Sequence, residues 1–191
     1  STGNENITGP NLVSTILGGV GVDTIVAGTA NDTIDGGDGA DNLTGGVGDD
    51  VYLFDTGDVD SGESIIENVG EGTDVVAIVT STDFSLMTAA SIDEVEEIRF
   101  AGANQTGTFT GSQLTGETIN LTETAAGTSN LIIDVGSGTT ATFANITAST
   151  FSSGADTVTI NGSTGNENIT GPNLVSTILG GVGVDTIVAG T

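Results

Sequence analysis

The chain has no cysteine, no histidine, no lysine and no tryptophan, and only 2 of its 191 residues are proline. Without cysteine, no disulfide can staple the fold. Without histidine, cysteine or lysine, the usual nucleophiles and general bases are missing, and neither a zinc-binding H-E-x-x-H nor a G-x-S-x-G serine motif occurs. The paired carboxylates Asp49 and Asp50 could in principle serve a glycosidase, but they lie inside a motif that explains them better. The chain is therefore expected not to be an enzyme. Its one basic side chain is Arg99, against 26 acidic residues, for a formal charge of −25. Phosphate contacts need Lys and Arg, so no nucleic-acid partner is expected, and anionic membranes are disfavoured for the same reason. No stretch approaches the roughly 18 apolar residues of a membrane helix, so no membrane insertion is expected.

What is present is glycine, 31 of them, and a long internal copy. Positions 1–29 and 163–191 carry the same string, STGNENITGPNLVSTILGGVGVDTIVAGT, without a mismatch. Chance does not produce such a match. The simplest reading is one tandem unit spanning 1–162, followed by the start of the next.

Within the first third a ninefold step runs through GPNLVSTIL (9–17), GGVGVDTIV (18–26), AGTANDTID (27–35), GGDGADNLT (36–44) and GGVGDDVYL (45–53). The eighth place holds Ile7, Ile16, Ile25, Ile34, Leu43 and Tyr52; the sixth holds Glu5, Ser14, Asp23, Asp32, Asp41 and Asp50. A short strand turns the eighth residue inward, and the glycines permit turns with positive φ or close approach. Two steps then make one turn of a coil, and loops from alternate steps stack on one edge. Their carbonyls and aspartates face a shared gap. Such oxygen-only surroundings suit calcium better than zinc or copper, and binding should be coupled to folding.

The pattern G-G-x-G-x-D-x-U-x, with U a large apolar residue, is matched in full by three of these steps and again by Gly180–Val188. It resembles the RTX family, secreted proteins with calcium-binding nonapeptide repeats. That resemblance implies Ca2+ between steps n and n+2. Asp23 and Asp41 would share one site with carbonyls around Gly19, Gly21, Gly37 and Gly39. Asp32 and Asp50 would share another on the opposite edge, with Gly28, Gly46 and Gly48. Asp185 repeats the role of Asp23, and Glu5 stands in an aspartate place. Ser14, Leu12 and Pro10 break the pattern, so their step is expected to bind no metal. The resemblance also implies secretion to the cell exterior, through a type I channel that passes an unfolded chain.

Beyond Leu53 the ninefold step is expected to stop. Residues 54–63 (FDTGDVDSGE) bring Asp55, Asp58, Asp60 and Glu63, which could hold one more ion or form a solvated loop. Eight β-like runs follow, at 64–66, 75–79, 95–100, 107–110, 118–122, 131–135, 140–146 and 157–160. Their spacing suits an irregular solenoid or a sandwich. A short helix is expected at 89–96, and Phe84, Phe100, Phe109, Phe143 and Phe151 are expected in the core. "VEEIRFAG" and "GSQLTGETINLTE" resemble the Thr-rich β segments of RTX-bearing S-layer proteins and large adhesins.

The expected fold is all-β: a parallel β-roll with calcium in its turns over 1–60, a Thr-rich β segment over 61–161, and the next copy's roll from 162 to 191. At two ninefold steps per turn throughout, one unit would advance roughly 40 Å. The expected function is a structural repeat of an extracellular fibre, sheath or S-layer, partnered by the next repeat and by lateral copies of the chain. The alternative is the stalk of an adhesin. An ice-binding face would need Thr and Asn at every second step, and Val20, Val22, Asp38 and Ala40 interrupt it.

Overall fold

The ninefold alternation dictates the first strands. A computed structural model of the chain describes residues 1–68, 70–151 and 155–190. Thr191, the last residue of the second copy, lies outside them. In the roll, the strands are β1 (Asn6–Thr8), β2 (Thr15–Val20), β3 (Thr24–Gly28), β4 (Thr33–Asp38), β5 (Asn42–Gly46), β6 (Val51–Phe54) and β7 (Ser64–Ile65). Residues at the eighth place point inward, and Ile25, Ile34, Leu43 and Tyr52 are fully buried. The middle holds β8 (Val75–Ile78), β9 (Thr82–Asp83), β10 (Glu97–Phe100), β11 (Thr106–Thr110), β12 (Asn120–Glu123), β13 (Asn130–Asp134), β14 (Thr140–Thr142), β15 (Thr147–Ala148) and β16 (Thr157–Asn161). The second copy adds β17 (Asn168–Thr170), β18 (Ser176–Leu179) and β19 (Thr186–Val188).

These strands stack as a parallel β-solenoid of about eight turns with almost no helix. The first sheet runs β1-β3-β5-β7 and the second β2-β4-β6-β8-β10-β12-β15; the third is β9-β11-β13-β16-β18 and the fourth β14-β17-β19. Each described pairing is parallel and in register, Ile16 beside Ile34 and Ile25 beside Leu43. The alternative of a sandwich for the middle segment is thereby set aside, since a sandwich packs antiparallel sheets.

The turn length changes along the axis. In the roll, Thr15 pairs with Thr33, two ninefold steps on. Farther along, Val75 pairs with Glu97 and Thr140 with Asn168, so these turns take in more of the chain than two steps supply. Of the two expected alternatives the middle is thus the irregular solenoid, and its turns enclose a wider interior than the 18-residue turns behind the length of roughly 40 Å. Phenylalanines fill it: Phe84 stacks on Phe109 with centroids 4.5 Å apart, and Phe54 meets Phe84 edge-on at 5.2 Å. Phe100, Phe143 and Phe151 are buried as well. Ile and Leu from two facing sheets fill the narrow roll; the wider turns need the larger rings.

Each of the eight expected runs overlaps a strand, whereas β9 and β15, two residues each, carry too little pattern to be read. The expected helix at 89–96 shrinks to a single 3-10 turn, Ala89–Ser91. Glu94 has φ 64°, a left-handed conformation that ends any right-handed helix there. Ile92 and Val95 still face the core. A four-residue helix, α1 (Gly111–Leu114), follows β11. Its buried Gln113 donates to the carbonyls of Phe84 (2.8 Å) and Met87 (3.1 Å), satisfying a neighbouring turn.

The two copies meet different surroundings. β17 repeats β1 and pairs with β14, while β18 repeats β2 and pairs with β16. The fourth and third sheets of the unit thus run on as the first and second sheets of the copy.

Candidate metal centre

Strands of two to six residues leave the chain no room to turn except through the glycines. All seven glycines implicated by the repeat, Gly19, Gly21, Gly28, Gly37, Gly39, Gly46 and Gly48, sit at positive φ. Gly39 also lies against the Gly21 carbonyl of the neighbouring turn, where a Cβ would collide. The loops therefore stack backbone on backbone, the Gly21 N–H donating to the Asp38 carbonyl at 2.8 Å.

This stacking aligns the sixth-place residues in two rows, one on each edge. On the first edge the Glu5 N–H donates to Asp23 Oδ1 and the Asp23 N–H to Asp41 Oδ1, both at 2.7 Å. On the second the Ser14 N–H and hydroxyl donate to Asp32 Oδ1 (2.7 Å each), and the Asp32 N–H to Asp50 Oδ1 (2.6 Å). The structure thus places Asp23 with Asp41 and Asp32 with Asp50. Ser14 brings no carboxylate to its turn. Asp185 accepts the Glu167 N–H at 3.0 Å, as Asp23 does that of Glu5. Of the acidic stretch after the roll, Asp55 and Asp60 are exposed and Asp58 is buried, accepting the Asp55 N–H.

Each backbone N–H occupies one carboxylate oxygen and leaves the other. Asp23, Asp32, Asp41 and Asp50 are all buried, and Oδ2 of each has no hydrogen-bond partner, as is true of Glu5 Oε2. A buried anion without a partner is costly. Arg99, the one basic side chain, is paired with Glu97 at 2.7 Å. The orphaned oxygens fit a divalent cation: hard, oxygen-only and stacked beside turns of backbone. Asp23, Asp32, Asp41 and Asp50 would hold it, together with glycine carbonyls of the loops.

Both rows extend past Leu53, although at separations of 22 and 24 residues, so the ninefold spacing itself stops there. The Asp41 N–H donates to Glu63 Oε2 at 2.7 Å and the Asp50 N–H to Asp74 Oδ1 at 2.9 Å. The Asp74 N–H in turn donates to Glu96 Oε2 at 2.8 Å. The signal for Asp74 was present: Gly70, Gly72, Asp74 and Val76 repeat the second, fourth, sixth and eighth places after an insertion. Gly70 has positive φ, and a Cβ on Gly72 would strike the Gly48 carbonyl. Glu63 likewise precedes inward-facing Ile65 by two, but a glutamate in an aspartate place hides the match.

Burial governs the protonation of these groups. It raises Asp41 and Asp50 above the ordinary carboxylate value, against the N–H groups they accept, with Asp23 and Asp32 adding repulsion. Burial pushes Glu63 up to about 9, Glu67 to about 7 and Asp74 to about 6. With no cation, protons are the available means of relieving the buried charge.

Comparison with known proteins agrees with this geometry. A family model for the RTX calcium-binding nonapeptide repeat (4 copies) matches residues 17–52. No curated protein and no solved structure matches the chain. The nonapeptide steps that carry Asp23, Asp32, Asp41 and Asp50 are calcium-binding motifs.

Proposed function

We propose that the chain is a structural repeat unit of a secreted, calcium-stabilised extracellular fibre, sheath or S-layer. One observation carries this reading: the second copy docks on the end of the unit as further coils in strand register. Ile7, only half-buried in the first copy, is fully buried as Ile169 in the second, under the cover of β14. Conversely Ile25 is 0 % exposed and its copy Ile187 is 44 % exposed, because no further turn covers it here. Each end of the unit therefore complements the other, and tandem stacking satisfies both.

Self-association is the proposed partnership, end to end through the repeat and laterally between chains. Leu17, Val20, Val22, Val26 and Val47 are exposed on the outside of the roll and offer apolar contacts for lateral packing. An extracellular setting suits the reading, since calcium there is millimolar and extracellular protein sites are of the weak class. Before it meets calcium, a chain of charge −25 repels itself and stays open for export, in keeping with a type I route.

Negative-stain microscopy with circular dichroism, in millimolar calcium and then in excess chelator, tests this. Ordered filaments or sheets that vanish with the β signal on chelation are expected. Calcium-dependent β structure confined to single separate rods would move the reading to an adhesin stalk.

A further inference from the structure

Glu67 is the second residue beyond Ile65, as Gly45 is the second beyond Leu43, its strand partner. At the matching place the nonapeptide steps carry Gly18, Ala27, Gly36 and Gly45, none with a ligand side chain. Here a carboxylate enters the second row instead. Glu67 Oε1 accepts the Gly45 N–H at 3.1 Å and the hydroxyl of buried Tyr52. One oxygen each from Asp50, Glu67 and Asp74 lie within 4.8 Å of one another. A calcium ion bonded at 2.3–2.6 Å to two oxygens holds them no more than about 5 Å apart, so the three can share one ion.

A second observation points to a ligand. Asp50 is 0 % exposed and its Oδ2 has no partner. That oxygen and the Tyr52 hydroxyl converge on the space beside Gly45 that a Cβ there would occupy. Glu67 Oε2 is a further buried oxygen with no partner. Three carboxylates thus meet, and two of them, Asp50 and Glu67, each keep an orphaned oxygen.

We propose that Asp50, Glu67 and Asp74 form a calcium site built from carboxylates rather than glycine-loop carbonyls, closing the second row of ions where the narrow roll widens. It rests on the calcium reading of the rows. Three carboxylates give it more charge than a two-aspartate site, so it fills first as calcium rises and pins the insertion at 67–68 onto the Gly45 turn.

The chain carries its own reporter. Tyr52 is the only tyrosine and there is no tryptophan, so terbium emission excited through tyrosine reports this neighbourhood. Glu67→Gln keeps an oxygen for Tyr52 and Gly45 while removing the charge. Calcium stoichiometry by native mass spectrometry, and tyrosine-excited terbium emission, are measured on the unmodified chain and on this variant. The expected result is the loss of one calcium per chain and of most of the emission, with the β signal in calcium retained. An equal ion count in the variant would overturn the site while leaving the rows intact. A chain that binds no calcium at all would overturn both. If the variant does not fold, the unmodified chain still decides: absence of tyrosine-excited terbium emission overturns the proposal.

Discussion

Asp23 and Asp185 have the same neighbours in sequence and different ones in space. Asp23 is buried beneath the turn that carries Asp41, and Asp185, with no turn after it, is half-buried. The carboxylate pocket is thus a property of stacked turns. The same holds for the glycines that let the turns approach. Gly39 has φ 138° and presses on the Gly21 carbonyl. Gly39→Ala should therefore destabilise the calcium-loaded roll by about 1–3 kcal/mol, read as a lower midpoint of thermal unfolding with calcium present. An unchanged midpoint would show that the loops do not stack as described. At this scale the sequence was legible wherever the sixth and eighth places stood in a ninefold step, as for Asp23, Asp32, Asp41 and Asp50. Glu63 was read only as part of an acidic stretch and not as a row member, and Glu67 was not legible, because it enters from a place where the steps carry glycine or alanine. Asp74 could have been read, but an insertion shifts its step out of phase.

Among the elements, the narrow and wide turns differ in what fills them. The roll closes on the large apolar residue at each eighth place and on buried carboxylates; the wide turns close on phenylalanine. Short alternating runs with Thr and Gly between them showed the strands of the wide part, but pairing partners far apart in the chain leave no local trace. Sandwich and solenoid therefore read alike until the parallel register is seen. The carboxylates also set a pH dependence. Glu63, Glu67 and Asp74 are raised in the folded chain to about 9, 7 and 6. Raised acids make a stabilising contribution that is full below their unfolded values and is lost as pH rises through the folded ones. In chelator, the thermal midpoint should accordingly fall as pH rises from about 4 to about 9. With saturating calcium the trend should reverse over the lower part of that range, because protons compete with the ion. Circular dichroism melts at several pH values check both signs, and a flat profile in chelator would contradict the burial of these groups.

For the whole molecule, the second copy acts as a lid on the first unit. Removing residues 163–191 would bare the edges of β14 and β16. A chain ending at 162 should melt lower in calcium, by about 2–4 °C for each kcal/mol of lost stacking, and should associate through its open edges. Calorimetry and size-exclusion chromatography would show it; equal melting would mean that the copy adds no stabilising coils. The sequence announced this copy through its unbroken identity with the opening string, and its docking surface required the structure, since β14 and β16 lie outside the nonapeptide steps and share only Thr142, Thr159 and Ile160 with the strands they receive.

The sheets of the unit do not begin and end together. The second runs from Thr15 to Ala148, and the third is already under way at Thr82 and reaches Leu179, in the copy of β2. Laid end to end, such units would be spliced like overlapping planks in a hull. Where one ladder of hydrogen bonds stops, its neighbour is in mid-span, so a tandem shaft of such units would have no plane of cleavage at the seams between repeats.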